Sequence, residues 1–102
     1  MPTKQITKTI IAPEVNKTTP PRMHKVILFN DDFTTMEFVI EVFQRFFSKN
    51  SELAMQLMLK VHNEGSAICG LYILDVAETK VHQVTEFAKQ HGHPLRCITE
   101  EN

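Results

Sequence analysis

Apolar positions change period several times along this 102-residue chain, and each change marks an element. The run His24 to Phe29 is short, apolar and β-branched, the pattern of a strand, and Asn30-Asp31-Asp32 after it is a turn signal. Apolar residues then recur at Met36, Val39, Ile40, Phe43 and Phe47, the stripe of an amphipathic helix that runs to about Phe47. Thr34 with Glu37 three residues on fits a capping box at its start. A second helix is predicted after Ser51 as cap, with Leu53, Ala54, Leu57, Met58 and Val61 on its inner face and Gly65 as its left-handed stop. Ala67 to Leu74 reads as a strand in which Gly70 marks a bulge or a close backbone approach. Asp75, with Glu78 in cap position, opens a third helix whose stripe is Ala77, Val81, Val84 and Ala88, ending at Gly92. Pro94 leads into a last strand, Leu95 to Thr99.

The order is therefore β-α-α-β-α-β. A helical hairpin returns the chain antiparallel, whereas a single crossover helix leaves the strands it joins parallel. Both conditions are met with the first strand in the centre. The expected fold is α+β, a three-stranded antiparallel sheet covered on one face by three helices.

Composition divides the chain near position 22. Residues 1 to 21 hold four of the five prolines, five threonines and no aromatic residue, and carry Lys4, Lys8 and Lys17 against Glu14, a net charge of +2. With the whole chain at −1, residues 22 to 102 are left at −3 and hold every Phe, Tyr, Cys and Gly. The expectation is a disordered N-terminal extension, 1 to 21, joined to one compact domain, 22 to 102. Cys69 and Cys97 lack any C-x-x-C or Cys-His finger spacing and read as buried free thiols of a reducing compartment. With no run of about 18 apolar residues and no apolar segment at the N-terminus, a cytoplasmic protein is expected, without a membrane partner.

Function classes narrow in the same way. None of His24, His62, His82, His91 and His93 falls in an H-E-x-x-H motif, no Ser or Cys has an evident base, and no glycine loop suits a phosphate. The expectation is no catalysis, no metal and no cofactor. An acidic domain without a basic stripe or stacking aromatic motifs disfavours nucleic acid. What remains is a binding module.

Its most informative residues flank the two helix ends. Met36 and Val39 lie i, i+3 on the first helix, and Met58, Val61 and His62 lie i, i+3, i+4 on the second, so one apolar cleft could carry a polar rim. At that rim Asn30, Asp32 and His62 offer an amide oxygen, a carboxylate and an imidazole nitrogen. Three acceptors and a negative charge suit an ammonium, such as the α-amino group of a peptide, with an apolar side chain below. A polar turn and a solvated helical histidine, or a generic groove for a partner helix, are the plainer readings of the same residues.

Five segments carry a closer resemblance: Pro20 to Leu28, Asn30-Asp31-Asp32-Phe33-Thr34-Thr35-Met36-Glu37-Phe38-Val39, Leu57 to His62, Ala77-Glu78-Thr79-Lys80-Val81 and His93-Pro94-Leu95-Arg96-Cys97. Together they resemble the ClpS family of bacterial N-end-rule adaptors over nearly all of residues 20 to 100. The resemblance implies recognition of proteins by a free α-amino group on an N-terminal Leu, Phe, Trp or Tyr, and delivery to the ClpA unfoldase of the ClpAP protease. It implies Asn30, Asp32 and His62 as α-amino ligands, and a pocket of Asp31, Thr34, Met36, Val39, Met58, Val61 and Leu95 with Met36 as the gate against β-branched residues. It further implies a contact with the ClpA N-terminal domain through Asp75, Glu78 and Lys80, a role for the N-terminal extension in delivery, and a monomer. Phe33 and Thr35 stand where the family often has tyrosine and proline.

Overall fold

The computed structural model describes residues 19–102. The disordered extension expected for residues 1–21 falls almost wholly outside them. Six elements follow in order: β1 (Met23–Phe29), α1 (Met36–Phe47), α2 (Ser51–Glu64), β2 (Ser66–Ile73), α3 (Leu74–Gln90) and β3 (Arg96–Glu101). The strands form one sheet in the order β2-β1-β3, with β1 antiparallel to both neighbours. This is the expected β-α-α-β-α-β topology.

The core lies between the sheet and the helices. Val26 and Leu28 of β1, Ala67 and Cys69 of β2 and Cys97 of β3 are buried against Phe38, Val39, Val42, Phe43 and Phe47 of α1, Ala54, Met58 and Val61 of α2, and Ala77, Val84 and Ala88 of α3. Phe38 stacks on Phe87 with centroids 5.1 Å apart, and the His93 ring sits 4.2 Å from Phe38, so the loop before β3 is packed onto α1. Cys69 and Cys97 are free and buried on strands that flank β1, two strand spacings apart and beyond the reach of a disulfide. Burial pushes the Cys97 thiol up to about 12 and raises Cys69 as well, which keeps both protonated and inert at neutral pH.

Three caps differ from the sequence expectation. Thr35, not Thr34, caps α1, its hydroxyl accepting from Phe38 N at 3.1 Å. Thr34 is withdrawn because its hydroxyl donates to Asp31 Oδ2 at 2.6 Å, and Glu37 is then no longer in register for a capping box. Asn50, not Ser51, caps α2 through its side-chain oxygen to Leu53 N at 2.8 Å. α3 begins at Leu74 with Ile73 in cap position and no side-chain cap, because β2 runs directly into the helix; Asp75 lies within the first turn, where its charge suits the helix dipole.

Gly70 lies at a bulge, as its place in the strand predicts. The β1-β2 register shifts between Val26, opposite Gly70, and Ile27, opposite Ile68, which leaves Cys69 as the extra residue of a bulge. Inward-facing positions of β2 are accordingly Ala67, the bulged Cys69 and, beyond the bulge, Tyr72, while Ile68, Leu71 and Ile73 are exposed. Tyr72 folds back over Gly70: a Cβ there would lie 2.6 Å from its hydroxyl and 2.8 Å from its ring. Gly70→Ala is expected to displace that ring and cost about 1–2 kcal/mol in urea unfolding, the usual range for overpacking. In a Tyr72→Ala background the same substitution should cost measurably less. Equal costs in both backgrounds would mean the ring is not what excludes a side chain at position 70.

Candidate functional site

The β1-β2 ladder does not stop at its last strand pair, Phe29 opposite Ser66. Asn30 N donates to Gly65 O at 2.9 Å, one step further on. Gly65, at φ 95°, is the left-handed cap of α2 and donates its own N–H to Val61 O at 2.9 Å. The turn after β1 is thus tied to the last turn of α2, where Val61 and His62 lie.

Asp31 shapes that turn. Its Oδ1 accepts from Phe33 N at 2.8 Å and from Thr34 N at 2.7 Å, and its Oδ2 accepts from the Thr34 hydroxyl. Partial burial would raise its pKa, but the Thr34 hydroxyl, the Phe33 and Thr34 amides and the nearby His93 outweigh it and hold the carboxyl below its ordinary value. Asp31 is therefore a structural anchor that leaves its neighbours Asn30 and Asp32 exposed and unencumbered.

Between this turn, the start of α1 and the end of α2 lies a cleft of ≈ 480 Å³, a volume within the range of small-ligand sites. Nine of the ten residues predicted for the amine rim and the side-chain pocket line it: Asn30, Asp31, Asp32, Thr34, Met36, Val39, Met58, Val61 and His62. Val39, Met58 and Val61 are buried and form an apolar floor, and Met36, 44% exposed, stands at the mouth. Asn30, Asp32 and His62 are exposed on the rim. No cation among the described residues forms an ion pair with Asp32. The carbonyl end of α2 beside His62 adds partial negative charge to the same rim.

The tenth residue, Leu95, is buried in the core just before β3, on the loop that His93 packs against Phe38. Conversely, Phe33, Thr35 and Glu37 line the cleft without having been assigned to it. Phe33 is 78% exposed, an unusual position for a phenyl ring and the one sequence signal, an aromatic inside a polar turn, that could have marked it. Asp75, Glu78 and Lys80 all lie on α3. Asp75 and Glu78, i, i+3 on α3, are both exposed, whereas the Lys80 ammonium donates to Phe46 O at 2.7 Å at the end of α1 and lies 5.8 Å from the Tyr72 ring centre. Among the described residues no group of three or more His, Cys, Asp or Glu is placed to hold a metal ion, and no helix is long and apolar enough to cross a membrane.

Comparison with known proteins decides the family. The family described as ATP-dependent Clp protease adaptor protein ClpS matches residues 19–98. This chain belongs to the ClpS family. It is 57% identical over 93 residues to the ATP-dependent Clp protease adapter protein ClpS of Nitrosospira multiformis, covering 91% of each chain. Its identity to the Burkholderia cenocepacia ClpS is 52% over 101 residues, 99% of this chain and 96% of the relative. Among solved structures, Agrobacterium tumefaciens ClpS2 bound to L-phenylalaninamide superposes with a TM-score of 0.79 at 36% identity, over 81% of this chain and all of that one. This ClpS-family chain is thus an adaptor of the Clp protease, a role that calls for binding surfaces.

The Asp31 anchor carries a pH prediction. Because its pKa is lowered on folding, its contribution to stability is present above the unfolded value of about 3.9 and is lost as pH falls through the folded value. Asp31→Ala should therefore cost about 1–2 kcal/mol at pH 7, and the gap to the wild type should begin to narrow below about pH 4. Urea denaturation across this range checks it; a gap that does not narrow at all between about pH 7 and pH 3 would assign the loss to something other than the carboxylate.

Proposed function

We propose that this adaptor recognises proteins by a free α-amino group on a bulky hydrophobic N-terminal residue, Leu, Phe, Trp or Tyr, and delivers them to the ClpA unfoldase for degradation by ClpAP. The observation that carries the reading is the combination, in one cleft, of a three-acceptor rim (Asn30, Asp32, His62) with an apolar floor (Val39, Met58, Val61). An α-ammonium has three N–H donors and, with a pKa near 7.7–8.0, is mostly charged at neutral pH. Asn30 Oδ1, an Asp32 oxygen and a ring nitrogen of His62 can each accept one of those donors, the last with His62 neutral at that nitrogen. The first side chain then enters between Met36, Met58 and Val61, where methionine adapts to rings and branched chains alike. L-phenylalaninamide, the ligand of the related ClpS2, is a molecule of this kind, with a free α-amino group, an apolar side chain and an amide where a peptide would continue.

Discrimination follows from chemistry at the rim. Acetylation of the amine removes its charge and two of its three donors, leaving Asp32 desolvated without a partner. The pocket alone cannot compensate, since an internal Leu or Phe offers the same apolar surface but no ammonium.

Delivery is the second half of the proposal. Asp75 and Glu78, exposed on α3, are assigned to the ClpA N-terminal domain, with Lys80 supporting that face through its hold on α1. Residues 1–21 are assigned to delivery and residues 22–102 to capture. The chain acts without catalysis or cofactor, in the cytoplasm and as a monomer.

A Leu-initiated peptide with a free amine is expected to bind, and its acetylated form to bind at least tenfold more weakly, in fluorescence anisotropy. Asp32→Ala and His62→Ala should each cost about 1.5 kcal/mol or more while the fold survives, as for lost hydrogen bonds to a charged group. Equal affinity for the free and acetylated peptides would overturn the reading.

A further inference from the structure

α2 departs from a simple amphipathic pattern in a way that capture of one side chain does not use. Ala54, Met58 and Val61 face the core, yet Met55 and Leu59 point outward, 51% and 43% exposed. Positions 55, 58, 59 and 62 are spaced i, i+3, i+4, i+7, so these two side chains share one stripe of the helix with Met58 and His62, which line the cleft. The apolar lining of the cleft thus continues along the outside of α2 without a charged residue in the stripe.

We propose that Met55 and Leu59 form an extension of the substrate site that binds an apolar side chain at the third or fourth position of the captured polypeptide. The inference rests on the reading of the cleft as an α-amino site. Its geometry follows from the anchor at His62. Leu59 lies about 5 Å and Met55 about 10 Å along the helix axis from His62 at 1.5 Å per residue. An extended chain advances about 3.3–3.5 Å per residue. A peptide whose amine is held at the rim and whose backbone follows α2 therefore passes Leu59 between its second and third residues and brings its fourth level with Met55.

A second copy of the chain is a poorer occupant. A stable dimer needs about 800 Å² from each partner, far more than two half-exposed side chains supply, whereas an extended peptide needs only a narrow strip joined to a site that already fixes its register. Methionine at position 55 suits a surface that must accept varied apolar residues. The substrates favoured by this chain are then proteins whose bulky first residue is followed, two or three positions later, by a second apolar residue.

The test compares two free-amine peptides by fluorescence anisotropy, one beginning Leu-Ser-Ser-Ser and one beginning Leu-Ser-Leu-Leu, with identical labelled tails. The second should bind about fivefold more tightly, the gain from burying a few tens of Å² of apolar surface. In a Met55→Gln, Leu59→Gln double variant, which keeps residues that favour helix at exposed positions, that gain should vanish while the Leu-Ser-Ser-Ser peptide binds as before. Equal binding of the two peptides by the wild type, or a gain that survives the double substitution, overturns the inference and leaves the cleft reading intact. If neither peptide binds, both fall. A wild-type dimer in sedimentation that the double variant converts to monomer would give the stripe to a second copy and overturn it too.

Discussion

The hydrogen bond from Asn30 N to Gly65 O is the constraint on which the cleft depends. It closes the ladder between β1 and β2 at the point where both strands become something else, a turn on one side and a helix end on the other. Its register is set several residues away. Before the bulge Val26 faces Gly70, and a ladder continued in that phase would set Asn30 opposite Ser66; the extra residue, Cys69, shifts the pairing by one and sets it opposite Gly65. Because Gly65 also caps α2, that single step fixes His62 and Val61 relative to Asn30 and Asp32. Gly70 permits the bulge's packing by leaving room for Tyr72, and the buried thiol of Cys69 fills the inner side.

A second layer of constraint makes the rim rigid enough to recognise a small group. Asp31 takes three hydrogen bonds within five residues of chain, so the turn is held by its own side chain rather than by the ligand. Division of labour between adjacent acids follows: Asp31 is consumed in structure, and Asp32 is left for solvent or a cation. Preorganised acceptors lower the ordering cost of binding, which matters for the proposed ligand, with only one ammonium and one side chain to offer. The same economy explains how 84 described residues can hold both a core and a site, since the helices that cover the sheet also make the cleft walls.

Most of this architecture was legible in the residues. Periodicity located all six elements, and Gly65 and Gly70 were marked for the conformations they adopt. Failures cluster where two adjacent residues compete for one role. Thr34 and Thr35 are equivalent as caps until Asp31 takes the Thr34 hydroxyl, a choice made by a turn that sequence spacing does not reveal. Asn50 and Ser51 present the same ambiguity. Leu95 is as buried as Val39, Met58 and Val61, and its depth is set by how the loop before β3 packs on Phe38. Lys80, expected from the resemblance in a partner contact, is drawn onto the Phe46 carbonyl by the unsatisfied end of α1. Phe33, Met55 and Leu59 illustrate the opposite limit, since an apolar residue left outside cannot be told from one inside until the fold is known.

The central claim is that Asn30, Asp32 and His62 act as one ammonium receptor because the β1-β2 register brings them to one rim. A crystal structure of this protein with leucinamide tests it most directly. The account predicts the α-amino nitrogen within about 2.7–3.2 Å of Asn30 Oδ1, an Asp32 carboxylate oxygen and a His62 ring nitrogen, with the leucyl side chain on Val39, Met58 and Val61. A ligand seated elsewhere, or one whose amine points to solvent away from that rim, would contradict it.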